Sequence, residues 1–181
     1  NLLWDEPTGY RATMVGIPYD DLASWRVMYP PDVFISQLEK VAAGCEAAVA
    51  PLESLLPRTP ADVTASPEID ALRREIDVAH ASAIHFASVA NQARFVHARD
   101  ALANAADPDA ARPLLDELER TLAAEIDLAR RLYVIQSRDA RIGFEASNHY
   151  FYVPIDLLEK IVNCRDLLDR WLPSQRQQRA P

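Results

Sequence analysis

The chain has 181 residues, of which 49% are apolar and 25% charged, so it can bury a core and has the composition of a globular domain. Its formal net charge of -8 provides no basic face to neutralise phosphates, which excludes nucleic acid as an expected partner. No apolar run is long enough to cross a bilayer, so we expect no membrane partner. Glycine occurs only four times and alanine is abundant, a combination that favours helices over sheets.

Residues 1–31 predict an irregular arm. Proline and glycine interrupt regular structure there, and the aromatic content indicates packing against a surface. One short helix is expected at residues 20–27. Because the chain begins with Asn1 and not with methionine, we interpret the arm as a connection from a preceding domain. Its structure breakers and aromatic residues are Trp4, Pro7, Gly9, Tyr10, Gly16, Pro18, Tyr19, Trp25, Tyr29, Pro30 and Pro31.

Two long helices are predicted next. The first begins at Asp32, after two prolines, and runs to about residue 56, with Pro51 expected to kink or end it. The second has Ser66 as its N-cap and Pro67 at its first position, and it runs to about residue 105. Its apolar seam has the three- and four-residue steps of a helix face. That seam consists of Ile69, Leu72, Ile76, Ala79, Ala83, Phe86, Ala90, Ala93 and Val96.

Two further helices complete the predicted fold. One opens at residues 107–108 (Asp-Pro), and its apolar face is Leu115, Leu118, Leu122, Ile126, Ala129 and Leu132. The other spans residues 154–172 and carries Leu157, Leu158, Ile161, Val162, Leu167, Leu168 and Trp171. Long amphipathic helices with short connections predict an all-α fold, an antiparallel bundle of about four helices. The bundle would occupy residues 32–172, followed by a flexible tail at 173–181.

Three histidines lie in the second predicted helix, at His80, His85 and His97. A di-iron bundle needs a Glu from each of two helices and a Glu-x-x-His from each of the other two, whereas this helix has only Asp-Val-Ala-His at residues 77–80. Spacings of five and twelve residues do not place the three histidines on one helix face. We therefore predict no metal site and no cofactor.

Motifs for catalysis are missing from the sequence. It has no Gly-x-Ser-x-Gly, no glycine-rich phosphate loop and no Cys–His pair at a recognisable spacing. Apart from Asp62 between the first two long helices and Asp139 and Glu145 of the 139–152 loop, every Asp and Glu outside the arm lies in a helical stretch with the pattern of a helix surface. We therefore assign no catalytic residue and expect, at most, a non-catalytic part of an enzyme.

Two other features have simpler interpretations. Cys45 and Cys164 lie within apolar, helical sequence, so two buried free thiols are expected and not a disulfide. The polar positions Asn91, Arg94 and His97 fall roughly on one side of the second helix. They indicate either a polar contact to the loop at 139–152 or a solvated helix face.

The loop at residues 139–152 carries the densest set of chemical groups in the sequence. Gly143 is expected to supply a backbone turn after the third long helix, and Phe144 to fill the end of the bundle. Planar polar groups beside aromatic rings form the mixture that recognises sugars. A purely structural loop, whose polar side chains cap the helices and whose aromatic rings fill the end of the bundle, would use the same residue types. Both interpretations stay open. The candidate substrate-binding or interdomain residues are Glu145, Asn148, His149, Tyr150 and Tyr152.

Several runs resemble a known kind of module. They are Asn1-Leu-Leu-Trp-Asp-Glu-Pro, the Pro-Pro-x-x-Phe that opens a helix, Asp139-Ala-Arg-Ile-Gly-Phe-Glu-Ala and Asn148-His149-Tyr150. Together with the helical layout, they resemble the C-terminal helical region that follows the TIM-barrel catalytic domain in large bacterial glycoside-hydrolase-like proteins, similar in layout to hexosaminidase-type and α-glucuronidase-type enzymes. The resemblance implies a module packed on a barrel, with the catalytic carboxylates in that barrel and the 139–152 loop near the interface.

The sequence thus favours an accessory helical-bundle domain of a carbohydrate-active enzyme. Its expected partners are the catalytic domain of the same polypeptide and, through the loop, a carbohydrate. The alternative is a stand-alone helical domain for protein–protein interaction. Either one fits the bacterial cytoplasm or a secreted protein, and the sequence does not decide between these compartments.

Overall fold

The structure is a computed structural model that describes residues 2–11, 16–57, 66–145, 149–150 and 153–179, with the backbone alone at 144–145 and 149–150. Its helices are α1 (Leu22–Arg26), α2 (Pro31–Glu53), α3 (Pro67–Ala103), α4 (Pro108–Arg138), α5 (Pro154–Asp166) and α6 (Leu172–Gln178), with a π-helical turn at Leu167–Trp171 between α5 and α6. Two-residue strands, β1 (Phe144–Glu145) and β2 (His149–Tyr150), pair between α4 and α5. The predicted all-α bundle is confirmed.

The long helices pack in chain order: α2 against α3, α3 against α4, and α4 against α5. Side-chain pairs show that α2 and α3 are antiparallel, and Asp77–Arg138 with Arg94–Glu117 show the same for α3 and α4. His80 of α3 lies beside Glu46 and Glu53 of α2, while Arg94, further along α3, reaches back to Glu39. Short connections between long helices favour this arrangement. Within the described residues no helix is both long and apolar enough to span a membrane.

Helix α4 begins and packs as its sequence predicts. The Asp107 carboxylate accepts the Ala110 backbone N–H at 2.8 Å, and Pro108 occupies the first helical position, where its missing N–H removes no helical bond. All six residues of the predicted apolar face are buried. At the start of α3, however, the Ser66 hydroxyl contacts the Glu68 carboxylate and makes no bond to the helix backbone.

The packed face of α5 differs from the predicted one. Leu158 is 44% exposed and Val162 is 68% exposed, although both were expected on the apolar face. Lys160 and Cys164 are buried in their place, because the face that meets α4 follows the steps 157, 160, 164 and 167. The sequence prediction chose residues by hydrophobicity and therefore missed a charged residue in this row.

The end of the chain is also more regular than predicted. Residues 173–178 were expected in a flexible tail, but α6 continues through Pro173 to Gln178. In the π-helical turn before it, the Leu172 N–H bonds to the Leu167 carbonyl five residues back. Pro173 therefore sits in the first turn of a new helical segment, a position that tolerates its missing N–H.

The arm is attached to the last long helix. The Asn163 side chain accepts the Leu3 N–H and donates to the Leu3 carbonyl, both at 2.8 Å, so that it pairs with the arm as a neighbouring strand would. Leu3 is only 4% exposed and joins the main core, which includes Phe95, Leu118 and Cys164. The short helix predicted at 20–27 is present as α1.

Both cysteines are free, and we expect only Cys45 to react in the folded protein. Burial raises the pKa of the Cys164 thiol to about 12, so at pH 8 it carries almost no reactive thiolate. A thiol-reactive dye should react with one cysteine per chain in the native protein and with the second cysteine only in denaturant. In the Cys45→Ser variant the native protein should be unreactive; rapid labelling of that variant would contradict the burial of Cys164.

Candidate functional site

The predicted binding loop contains a short antiparallel hairpin. Glu145 lies opposite His149, and Phe144 lies opposite Tyr150. Two of the candidate residues, Asn148 and Tyr152, lie outside the described residues. Gly143 has a φ of +88°, which confirms the expected turn, although it leads into β1 and does not cap α4, which ends at Arg138. The hairpin therefore brings Glu145, His149 and Tyr150 together at the level of the backbone.

The base of this loop is held by an ion pair. Arg141 donates from Nε to Asp139 Oδ1 at 2.8 Å and from Nη2 to Asp139 Oδ2 at 2.6 Å, and its backbone N–H also bonds to Oδ1 at 3.1 Å. These hydrogen bonds stabilise the carboxylate and lower the pKa of Asp139 to about 2. Both residues line an open groove of about 560 Å³ against α3, together with Ser82, His85 and Phe86.

Replacing Arg141 with glutamine should raise the pKa of Asp139 from about 2 towards its ordinary value of 3.8. Because the folded-state pKa is depressed, the stabilisation from this carboxylate is present above about pH 4 and is lost as the pH falls through 2. NMR titration of the Asp139 carboxyl carbon measures the shift directly. Arg112→Gln, which removes an exposed arginine paired with Asp109, is the control and should leave the Asp139 titration unchanged.

The bundle interior contains a charged group that sequence analysis missed. Glu125 of α4 is 1% exposed, although we expected every acidic residue of the helices at the surface. Its Oε2 accepts hydrogen bonds from the Ser88 hydroxyl at 2.9 Å and from Lys160 Nζ at 3.0 Å, while Oε1 accepts from Asn91 Nδ2 at 3.0 Å. Three donors satisfy this carboxylate, which is why it remains compatible with burial.

The same network extends to α2. The Arg94 guanidinium donates to Asn91 Oδ1 at 2.9 Å, pairs with Glu117 of α4 at 2.9 Å and also contacts Glu39 of α2. Asn91 is only 8% exposed. The solvated-face interpretation is wrong for Asn91 and Arg94, because both side chains contact neighbouring helices. The other interpretation, a contact to the 139–152 loop, depends on side chains outside the described residues. His97 is exposed.

Spacing alone could have located the buried charges. Leu118, Leu122, Glu125, Ala129 and Leu132 follow alternating steps of four and three residues, so Glu125 occupies a core position of a regular seam. Lys160 lies between Leu157 and Cys164 in the equivalent row of α5. Two opposite charges at core positions of adjacent helices predict a buried pair.

Glu125 and Lys160 also line a cavity between α3, α4 and α5. Its volume is about 290 Å³, and Ser88, Gln92 and His85 contribute the polar part of its α3 wall. Desolvation lowers the pKa of His85, so the imidazole is neutral at pH 7. Cavities between the helices of a bundle, mostly apolar with a few polar groups, are a common type of ligand site.

His80 lies between two carboxylates of α2. Its Nδ1 is 3.6 Å from Glu46 Oε2, and its Nε2 is 3.5 Å from Glu53 Oε1. Over the ranges that the structure describes, no group of three or more His, Cys, Asp or Glu side chains is arranged to hold a metal ion. His80, Glu46 and Glu53 thus lie at the contact between α2 and α3.

The N-terminal arm presents the largest set of exposed apolar side chains. We call this set the arm surface: Trp4, Tyr10, Tyr19, Trp25, Val27, Met28 and Tyr29, which are between 40% and 82% exposed. The Tyr10 and Tyr19 rings are stacked at 5.8 Å, and Trp25 Nε1 donates to the Pro18 carbonyl at 2.7 Å. Five of these seven side chains are aromatic, and within the described residues the rest of the chain leaves them exposed. That they pack against another surface stays a prediction.

Beneath the arm surface lies a groove of about 920 Å³ between the arm, α2 and α3. Arg99 forms part of its wall and is 4% exposed. The guanidinium donates to the Trp4 carbonyl at 3.1 Å and pairs with Asp20 at 3.5 Å and with Asp100 at 2.9 Å. Arg99 thus holds the arm against α3 at two points, Trp4 and Asp20.

Comparisons of this chain with protein-family models, with curated proteins and with solved structures found no match.

Proposed function

We propose that this chain is an accessory helical domain that docks through its arm surface onto a folded domain of the same polypeptide. The observation that carries the proposal is the exposure of seven large apolar side chains within one short segment, three of them tyrosines and two tryptophans. Exposed apolar patches of this kind are typical of protein interaction sites. Tyr, Trp and Met are enriched in such interfaces.

The arm surface is preorganised, which supports docking to a folded partner. The arm is held at Leu3 by Asn163 and at Trp4 by Arg99, and residues 10 and 19 are joined by a backbone hydrogen bond of 3.0 Å. A surface that is already ordered loses less conformational entropy when it binds.

Backbone strain coincides with this surface. Val27 has a φ of +52° and a side chain that is 69% exposed. A β-branched residue in this conformation costs about 1–3 kcal/mol, and strained residues cluster at binding sites. Here the strain turns the chain directly after α1, and Met28 and Tyr29 then project from the turn with exposures of 82% and 57%.

The proposed partner is a carbohydrate-active catalytic domain, on the strength of the resemblance at residues 1–7 and 141–152. In that arrangement the hairpin residues Glu145, His149 and Tyr150 would lie at the edge of the sugar site, together with Asn148 and Tyr152. The alternative is a stand-alone interaction domain. It cannot pair with another helical chain through the α3 seam, because Ala83, Ala90 and Ala93 of that seam are buried within the bundle.

The test uses the segment encoded upstream of Asn1 in the same reading frame, produced as a separate chain and titrated with residues 1–181. The triple variant Tyr10→Ser/Met28→Ser/Tyr29→Ser should bind at least about thirtyfold more weakly, because one central anchor contributes about 2 kcal/mol or more. Val162→Ser, which removes an exposed apolar side chain from α5, is the matched control and should bind as the wild type does.

Three outcomes would overturn the proposal. They are a reading frame that does not encode a domain upstream of Asn1, unchanged affinity of the triple variant, and glycosidase turnover by residues 1–181 alone. The role of the loop has its own test in the full-length protein. His149→Ala and Tyr150→Phe should reduce glycosidase activity, and the loop hypothesis fails if both activity and thermal stability stay at wild-type values.

A further inference from the structure

The cavity between α3, α4 and α5 has a buried floor and an exposed rim. Ile84, Glu125 and Lys160 of the floor are 2%, 1% and 7% exposed, respectively. Asp156 and Glu159 of the rim are exposed, on the first two turns of α5. The volume of about 290 Å³ equals that of roughly ten water molecules in the liquid. A small molecule with about as many non-hydrogen atoms would therefore fit.

The lining combines apolar walls with an excess of negative charge. Four leucine and isoleucine side chains of the helices form the walls: Ile84, Leu128, Leu132 and Leu157. Among the described residues, the charged lining consists of three carboxylates, Glu125, Asp156 and Glu159, and one ammonium group, Lys160, which gives a net charge of -2 when His85 is neutral. A cleft with low-dielectric walls and one dominant sign of charge concentrates ligands of the opposite sign.

We propose that this cavity binds a small organic ammonium compound with an apolar body. The apolar part packs against the leucine and isoleucine walls, and the ammonium group lies at the rim beside Asp156 and Glu159. The Lys160 Nζ lies at the floor, 3.0 Å from Glu125. An anion of the same size would meet the net negative charge of the described lining, and a neutral molecule would make no ion pair with the rim carboxylates.

The free-energy cost of the buried Glu125–Lys160 pair and of the cavity beside it favours a ligand site over a packing defect. Burying two charges costs several kcal/mol per ion before they attract each other, and well-packed apolar residues of similar volume would often be at least as stable. A cavity of this size adds a further loss of packing contacts. A buried ion pair that faces open space therefore costs stability twice, which favours a functional reason for the arrangement.

This site is separate from the arm surface, and its proposal does not depend on docking to another domain. The cavity and the groove beneath the arm share two lining residues, Leu2 and Gln92, and neither belongs to the arm surface. Loss of partner binding in the arm-surface variant thus says nothing against the cavity. Loss of amine binding in a rim variant likewise says nothing against docking.

The experiment compares 2-phenylethylamine, 2-phenylethanol and phenylacetate, which have similar size and shape but different charge. Isothermal titration should give an affinity for the amine at least about tenfold higher than for the alcohol, with the anion weakest. The amine affinity should fall as salt is added, because the rim is exposed and its charges are screened. In NMR spectra the amine should shift the methyl signals of Ile84, Leu132 and Leu157.

The variant Asp156→Asn/Glu159→Gln keeps the shape of the rim and removes both charges. It should lose about tenfold in amine affinity and keep its alcohol affinity. Asp127→Asn/Asp169→Asn removes the same charge from exposed positions outside the cavity lining and is the control. The proposal is wrong if amine and alcohol bind equally, if the two double variants behave alike, or if millimolar amine shifts none of the cavity methyl signals.

Discussion

Replacing Lys160 with methionine should lower the free energy of unfolding by about 3–5 kcal/mol, the range seen when one partner of a buried ion pair is removed. Methionine fits the space of the lysine stem, so the loss is electrostatic and not a packing defect. Glu125 would remain 1% exposed with Ser88 and Asn91 as its donors but without a counter-ion. Urea denaturation followed by circular dichroism measures the change.

The chain contains a matched control, because its only other lysine, Lys40, is exposed on α2. Lys40→Met should change stability by less than about 0.5 kcal/mol. The double variant Lys160→Met/Glu125→Gln should recover much of the loss, since glutamine keeps an acceptor for Asn91 without a buried charge. If Lys160→Met costs less than about 1 kcal/mol, Glu125 is not enclosed as described.

Phe95→Ala should destabilise the protein by about 3–5 kcal/mol, the cost of a cavity left by a fully buried aromatic side chain. Phe95 is 0% exposed, belongs to the core cluster of Leu102, Leu118 and Leu122, and its ring lies 5.9 Å from that of Trp171. It therefore joins α3 and α4 to the π-helical turn near the end of the chain.

The matched control for Phe95 is Phe86→Ala on the same helix. Phe86 is partly exposed and lines the groove beside Asp139, so its removal should cost less than half as much. Chemical denaturation of both variants gives the comparison. Equal losses in the free energy of unfolding for the two variants would mean that the core is not centred on Phe95.

Most of the fold could be predicted because hydrophobic periodicity and helix-start signals indicate where each helix lies and which face it buries. The apolar face of α4 and the starts of α3, α4 and α5 at Pro67, Pro108 and Pro154 all follow from spacing and first-turn prolines. Such local signals act within one or two helical turns. They fail at Pro173, where the helical path continues because a π-helical turn precedes the proline.

Spacing places Glu125 and Lys160 at core positions, but their contact with each other and the exposure of the arm were harder to predict. Glu125 and Lys160 are compatible with the core only as a pair, and the pairing depends on how α4 and α5 are aligned. The exposure of Tyr10, Met28 and Tyr29 depends on how the arm packs on the bundle, and no local sequence pattern specifies that packing. For the 139–152 loop, the sequence predicts the polar and aromatic content, the structure adds the pairing of Glu145 with His149, and the sugar contact stays a prediction.

The pairing of Asn163 with Leu3 has a consequence for the order of folding. The helices pack on their neighbours in the chain, so their contacts are local and can form early, whereas this bond closes a loop of 160 residues. During synthesis the arm emerges first, but its attachment point follows roughly 8–30 seconds later at ordinary rates of translation. The attachment of Leu3 to α5 is therefore completed last. A chain truncated before α5 would keep the contact between Arg99 and Trp4 but lack this attachment, so its arm would be held at fewer points.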